Sequence, residues 1–460
     1  MPAELCPALP TDSVEVCSIA CNANDDPFSG DTARGGVYLA GRYGLGVMVS
    51  MANMLVMTRW IGPHAYGLFV TAIGIVAFLA AVARAGVDTY LVRSESPPDP
   101  RMYGTAAILI LAISMGLALI AAAATPLLIC WYGNREFVAP YLVLLLMIPV
   151  TGLAGVPMAK LERALDFRSV AAIELAGQSI GLVAAVLLAW LHLGIWAPVI
   201  GQIAWQGFSL VGAVVSASMA LSLRFDARRA REMLSFGAGL TAAQRMWQLR
   251  TLVNPLLVGR IAGPEGVAFV ALAVRMAEGL GAIRLAAGRM AIAALARLQT
   301  RREQFRLALE RSLYLQVITL GPLLCAAALF GPLLVPRVLG LRWMPSLTLY
   351  PFVAAGVLVN SVYNLQASAL FVVGRQWIVM QSYSAHVGLL AAATFFLLPR
   401  IGIAGYGWAE VIACVSYCAI HAGVRQYVAL SYRHLAACVA VFMPVLFLGP
   451  LLTILRHFIG

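Results

Sequence analysis

The sequence predicts an all-α, polytopic membrane protein of about twelve transmembrane helices, arranged as two six-helix lobes with an extra helix at the C-terminal end. Three observations predict it. The 460 residues are 61% hydrophobic and 11% charged, with a mean hydropathy of +0.86, which is more apolar surface than one or two water-soluble cores can hide. Short polar turns interrupt the apolar runs every 20 to 30 residues, close to the roughly 20 residues a helix needs to cross a ~30 Å hydrocarbon core. The runs do not alternate with period two, which argues against a barrel.

Taken in order, residues 1–35 carry Glu4, Asp12, Glu15, Asp25, Asp26 and Asp31 against Arg34 and have no apolar core, the composition of a disordered cytosolic tail. Apolar runs near 36–58, 66–83, 104–130, 138–158, 170–190 and 195–218 make an N-terminal lobe, 36–218. A basic cytosolic linker, 219–232, follows. Runs near 233–259, 266–288, 312–335, 345–371, 376–398 and 402–424 make the second lobe, 233–424, and a thirteenth near 434–455 lies in the remaining stretch, 425–460.

With the N-terminus inside, 18 lysines and arginines fall in cytosolic loops and 7 on the opposite face. This bias sets topology in the inner membrane and absorbs most of the net charge of +12, so nucleic acid is not an expected partner. Trp60, Tyr66, Trp131, Tyr132, Trp190, Trp196 and Trp408 gather at the outer ends, as interfacial anchors do. Arg297 to Arg311 is a basic amphipathic stretch, read either as a surface helix held to anionic membrane lipid or as a gate element. The eight cysteines are scattered with no paired CxxC spacing, so neither a zinc site nor a disulfide framework is indicated.

The halves echo each other. Arg59-Trp-Ile-Gly62-Pro63 in the first outer turn is matched 201 residues later by Arg260-Ile-Ala-Gly263-Pro264. Gly194-Ile-Trp-Ala and Gly402-Ile-Ala-Gly405 repeat at nearly the same offset. Six helices per half give both lobes the same orientation, related by an axis along the membrane normal.

Charge at mid-bilayer costs at least ~2.5–3.5 kcal/mol, so what remains there faces a bundle interior or a wet cavity. Here it is mostly arginine: Arg42 in the first helix, Arg245 and Arg250 in the seventh, and Arg275, Arg284 and Arg289 in the eighth. The acids are Glu174, Glu278 and Glu410. At 1.5 Å per residue Arg245 and Arg275 lie roughly 16 Å and 14 Å into their spans, near the midplane. A cavity with this excess of guanidinium groups accepts an anion, and phosphate oxygens suit the planar fork. The competing reading is structural, with Arg275 and Glu278 neutralising each other three residues apart and Arg289 reaching the headgroups. Glu174, Glu278 and Glu410 are the candidates for ion coupling.

The segments Thr58-Arg59-Trp60-Ile61-Gly62-Pro63-His64-Ala65-Tyr66-Gly67-Leu68-Phe69, Ala85-Gly86-Val87-Asp88-Thr89-Tyr90-Leu91-Val92-Arg93, Leu161-Glu162-Arg163-Ala164-Leu165-Asp166-Phe167-Arg168 and Ala291 to Leu298 resemble the polysaccharide transporter family, which includes Wzx-type oligosaccharide flippases. The resemblance spans roughly 36–424. It implies a two-lobed fold like that of multidrug and toxin extrusion (MATE) transporters in the MOP superfamily. It also implies undecaprenyl-pyrophosphate-linked oligosaccharide as cargo, no cofactor, and polysaccharide polymerases or glycosyltransferases as neighbours. In such flippases cationic residues on helices one, seven and eight hold the anionic head group, and Arg42, Arg245 and Arg275 occupy comparable places here. The thirteenth helix departs from the family's usual even count.

Two alternatives keep the membrane architecture: a cation-coupled exporter of small molecules, which would want acids in its cleft, and a non-transporting scaffold of a polysaccharide synthesis complex. A glycan-synthesising enzyme is disfavoured because the chain has neither a large extramembrane loop nor an Asp-x-Asp site.

Overall fold

The computed structural model describes residues 30–94, 98–218, 225–281, 298 and 301–459. The chain divides into two compact units, Met1–Gly46 and Val47–Gly460, and every side-chain contact given below lies within the second.

In chain order the helices are α1 (Gly30–Ala83), α2 (Val87–Arg93), α3 (Pro100–Ala123), α4 (Thr125–Tyr132), α5 (Val138–Leu145), α6 (Met147–Arg163), α7 (Phe167–Trp190) and α8 (Trp196–Ser216). The second half has α9 (Ala227–Leu249), α10 (Gly259–Leu280), α11 (Arg302–Val338), α12 (Pro345–Val372), α13 (Gln376–Ile401), α14 (Ala404–Ala413), α15 (Cys418–Arg425) and α16 (Arg433–Ile459). Ten helical stretches among the described residues are long and apolar enough to cross a membrane. The protein is a multi-pass, all-helical membrane protein.

Two of those stretches, Met48–Ala83 and Gln244–Leu280, run for 36 and 37 residues. Drawn out straight each would reach roughly 55 Å, far beyond a ~30 Å core. Each is broken where the sequence puts an outer turn. Gly62 (φ 73°, ψ 171°) and Gly263 (φ 70°, ψ −174°) share one backbone conformation that only glycine adopts readily, and each is followed by a proline that starts the next helical segment. The sequence echo is thus also an echo of geometry.

The two turns also meet. A Cβ at Gly67 would overlap the Pro264 carbonyl oxygen, so α1 and α10 approach backbone to backbone there. Because that oxygen cannot swing aside, Gly67→Ala should cost about 3 kcal/mol, the upper end for overpacking, and lower the melting temperature of the detergent-purified protein. Gly116→Ala, where nothing lies within 4 Å of the added carbon, should leave it unchanged. Equal melting of the two variants would show that this approach does not hold α1 against α10.

Two cores organise the bundle. One collects Val253 through Leu446 from the second half. The other collects Met54 through Val199 and takes in Ala268, Leu272, Val335 and Trp343, so α10 and the turn before α12 pack against the first half. At the opposite, basic end, Asp226 caps α9 and Arg229 reaches Asp99 at 2.6 Å. That hydrogen bond and charge hold the Asp99 carboxyl below the usual carboxylate range.

The basic stretch before the ninth span departs from a surface helix. Residues from Arg302 onward continue directly into α11, with Phe305, Leu309 and Leu313 buried in the core. Arg306 is spent on Glu303 and Glu310, and the Ser431 amide donates to Glu310 at 2.6 Å. Burial on one face outweighs attraction to headgroups. The C-terminal α16 packs on α11, where Cys325 Sγ donates to the Phe442 carbonyl at 3.5 Å.

Candidate functional site

A cavity of about 500 Å³ opens between α1, α7, α8 and α10, within the roughly 300–1,000 Å³ usual for ligand sites. The first half supplies most of its wall, including Asn53, Tyr66, Gln178, Gln202 and Trp205, while α10 supplies Arg275, Glu278 and Gly279. Tyr66 does not sit in the interface as an anchor. It is 2% exposed and packs edge-on to Trp343, at 5.7 Å between ring centres. Its hydroxyl and the buried Gln178 Oε1 make no hydrogen bond among the described residues.

Arg275 and Glu278 do not neutralise each other. Glu278 turns to Arg250, at 3.4 Å, and Arg275 makes no ion pair among the described residues. A guanidinium therefore stands on the cavity wall with its donors available.

Arg250 lies outside that cavity. At its position α9 gives way to a 3-10 turn, Arg250–Leu252, and then to a wide π turn, Asn254–Val258, around Pro255, which has no N–H to continue the ladder. The side chain is 15% exposed and lies between Glu278 and Glu410, the latter at 3.1 Å and 3% exposed. Tyr406 donates to Glu410 at 2.8 Å, and the guanidinium lies 5.2 Å from the centre of the Trp247 ring. Beside them is a void of about 10 Å³ lined also by Asn360, His386 and Tyr417, about the volume that one water requires.

Arg245 donates to the Ala81 carbonyl and joins α9 to α1 near the basic end. Glu174 lines a second chamber, of about 400 Å³, with Arg84, Asp88 and Glu162. Arg42 falls on α1 with its side chain outside the described residues, and Arg284 and Arg289 lie outside them altogether. Of the predicted set, then, the structure brings Arg275 and Glu278 to one cavity and joins Glu278 to Arg250 and Glu410. Sequence reasoning took Tyr66 for an interfacial anchor and passed over Gln178, Gln202 and Trp205. The available signal was three amides, Gln178, Gln202 and Gln206, inside apolar spans that have no structural need of them.

Residues 56–348 match the family model described as polysaccharide biosynthesis protein. The chain belongs to this family. A curated relative, the succinoglycan biosynthesis transport protein ExoT of Rhizobium meliloti (strain 1021), is 29% identical over 144 residues, which is 31% of this chain and 28% of that protein. The chain therefore spans little more than a quarter of the relative it matches. Among solved structures it resembles the lipid II flippase MurJ in an inward closed conformation, with TM-score 0.75 and 11% identity over 90% of this chain and 92% of the other. It also resembles an inward-facing multidrug resistance MATE family transporter of the MOP superfamily, with TM-score 0.62 and 17% identity over 83% of this chain and 94% of the other. The fold is that of MOP-superfamily transporters.

Proposed function

We propose that the protein moves an undecaprenyl-pyrophosphate-linked oligosaccharide from the cytosolic to the periplasmic leaflet of the bacterial inner membrane, with its N-terminus in the cytosol. Two like-oriented lobes, 36–218 and 233–424, rock about the midplane; the pyrophosphate sits on arginine and the polyprenyl tail stays in lipid. One observation carries the reading: Arg275, with no ion pair among the described residues, faces a ligand-sized cavity in a family tied to polysaccharide biosynthesis. Arg245 and Arg250, with Arg42 and Arg284, are auxiliary to it in other conformations of the cycle. Glycosyltransferases supply the cargo on one face and a polymerase consumes it on the other.

Coupling falls to the acids. Glu278 and Glu410 share the single guanidinium of Arg250, so the trio carries one surplus negative charge until a proton or cation joins it. Loading that charge weakens the hold of Arg250 on Glu278, at the cavity edge. Glu174, in the second chamber, is the further relay candidate.

The test is reconstitution in liposomes carrying a nitrobenzoxadiazole-labelled undecaprenyl-pyrophosphoryl glucose. Protein should raise the fraction of label reached by external dithionite from about half toward all. A trace equal to that of protein-free liposomes, with and without a proton or sodium gradient, would rule the reading out.

A further inference from the structure

The main cavity's wall is poor in charge and rich in amides. Among the described residues its only charged groups are Arg275 and Glu278, both on α10. The opposite wall presents a flat indole, Trp205, beside Gln178 and Gln202. We propose that this wall, on α7 and α8, is a subsite for a neutral hexopyranose, the sugar next to the pyrophosphate, with Trp205 as its stacking platform.

Three observations converge on it. First, Gln178 Oε1 and the hydroxyl of Tyr66, a side chain 2% exposed, are buried polar atoms with no partner among the described residues. Buried polar groups are nearly always bonded, so two orphans on side chains that line one cavity, from α1 and α7, point to a ligand toward which they turn. Second, the partners are of the right kind. A pyranose has an apolar C–H face and a rim of hydroxyls that both donate and accept; an amide offers both roles at adjacent atoms, and an indole offers a broad apolar face. A phosphate or an acidic sugar would instead want cations on this wall.

Third, the indole is held in place. A Cβ at Gly177 would lie 2.8 Å from Trp205 Cδ1, and one at Gly181 would lie 2.9 Å from Trp205 Cβ. These glycines let α7 close over α8 against the base of Trp205 and one edge of its ring. Trp205 and Gln202 also line the second chamber, so the platform stands where the two chambers meet. Nine residues into α8, it is roughly 14 Å deep, near the middle of the membrane.

This inference rests on the flippase reading, and the experiment separates the two. Binding to the full-length protein in lipid nanodiscs is measured for undecaprenyl pyrophosphate and for its glucosyl and galactosyl esters. The wild type should bind at least one sugar-bearing lipid roughly ten-fold tighter than the bare lipid, the gain of one or two good hydrogen bonds with stacking. Trp205→Ala and Gln178→Ala should reduce that ratio toward one while leaving affinity for the bare lipid unchanged, and Trp205→Phe should retain most of it. Arg275→Gln should weaken all three lipids together and leave the ratio intact. A wild-type ratio near one for both sugars overturns the subsite, as does an unchanged ratio in Gln178→Ala, even where Trp205→Ala fails to fold. Insensitivity of the bare lipid to Arg275→Gln overturns the pyrophosphate assignment instead and leaves the sugar ratio to judge this one.

Discussion

Arg275→Gln should abolish the proposed export of the glycan while the protein still inserts and accumulates in the membrane. The side chain makes no ion pair among the described residues, so its removal strands no acid among them. The loss falls on the cargo. A charge-assisted, bidentate contact to phosphate is worth about 2–3 kcal/mol, which is roughly 30- to 150-fold in affinity at 1.4 kcal/mol per decade. Lysine keeps the charge but not the fork, so Arg275→Lys should retain part of the activity. The measurement is surface polymer in a null strain complemented by each variant, with membrane abundance as control. Polymer at the wild-type level from Arg275→Gln would detach the cavity from the pyrophosphate. Arg245→Gln is a less clean probe, because Arg245 also bonds the Ala81 carbonyl and its loss loosens α9 from α1.

What was legible in the sequence follows from which physics is local. Span lengths, the Gly-Pro turns and the two-fold echo depend on hydropathy and on backbone freedom at Gly62 and Gly263, and all can be read along the chain. The pairing of Arg250 cannot. It joins Glu278 and Glu410, 28 and 160 residues away, and depends on a local loosening of the helix around Pro255. Near neighbours in sequence suggested Arg275 as the mate of Glu278; the fold chose a different arginine and left Arg275 to the cavity. The fate of the stretch after Arg301 was hidden in the same way. Its charges are plain in the sequence, but that Phe305 and Leu309 would be buried against the second-half core depends on helices more than forty residues further on.

The buried trio supports the second large effect. Arg250→Leu leaves Glu410, 3% exposed, without its cation, and breaking a buried pair from one side costs about 3–5 kcal/mol. A fall in melting temperature of about 3–5 °C is expected. The double variant Arg250→Leu with Glu410→Leu should recover most of that, since two apolar side chains of similar size fill the site without stranding a charge. Glu278 tolerates the change because its side chain is 42% exposed on the cavity and remains hydrated. Stability and transport then part company: the double variant should be stable yet fail to respond to an imposed proton or sodium gradient. If it flips lipid under a gradient at the wild-type rate, the trio is only a structural tie. If Arg250→Leu melts with the wild type, the pair is not buried as described. A stable double variant that no longer responds to the gradient would locate the coupling charge on Glu410 and its arginine, next to the cavity that Glu278 also lines.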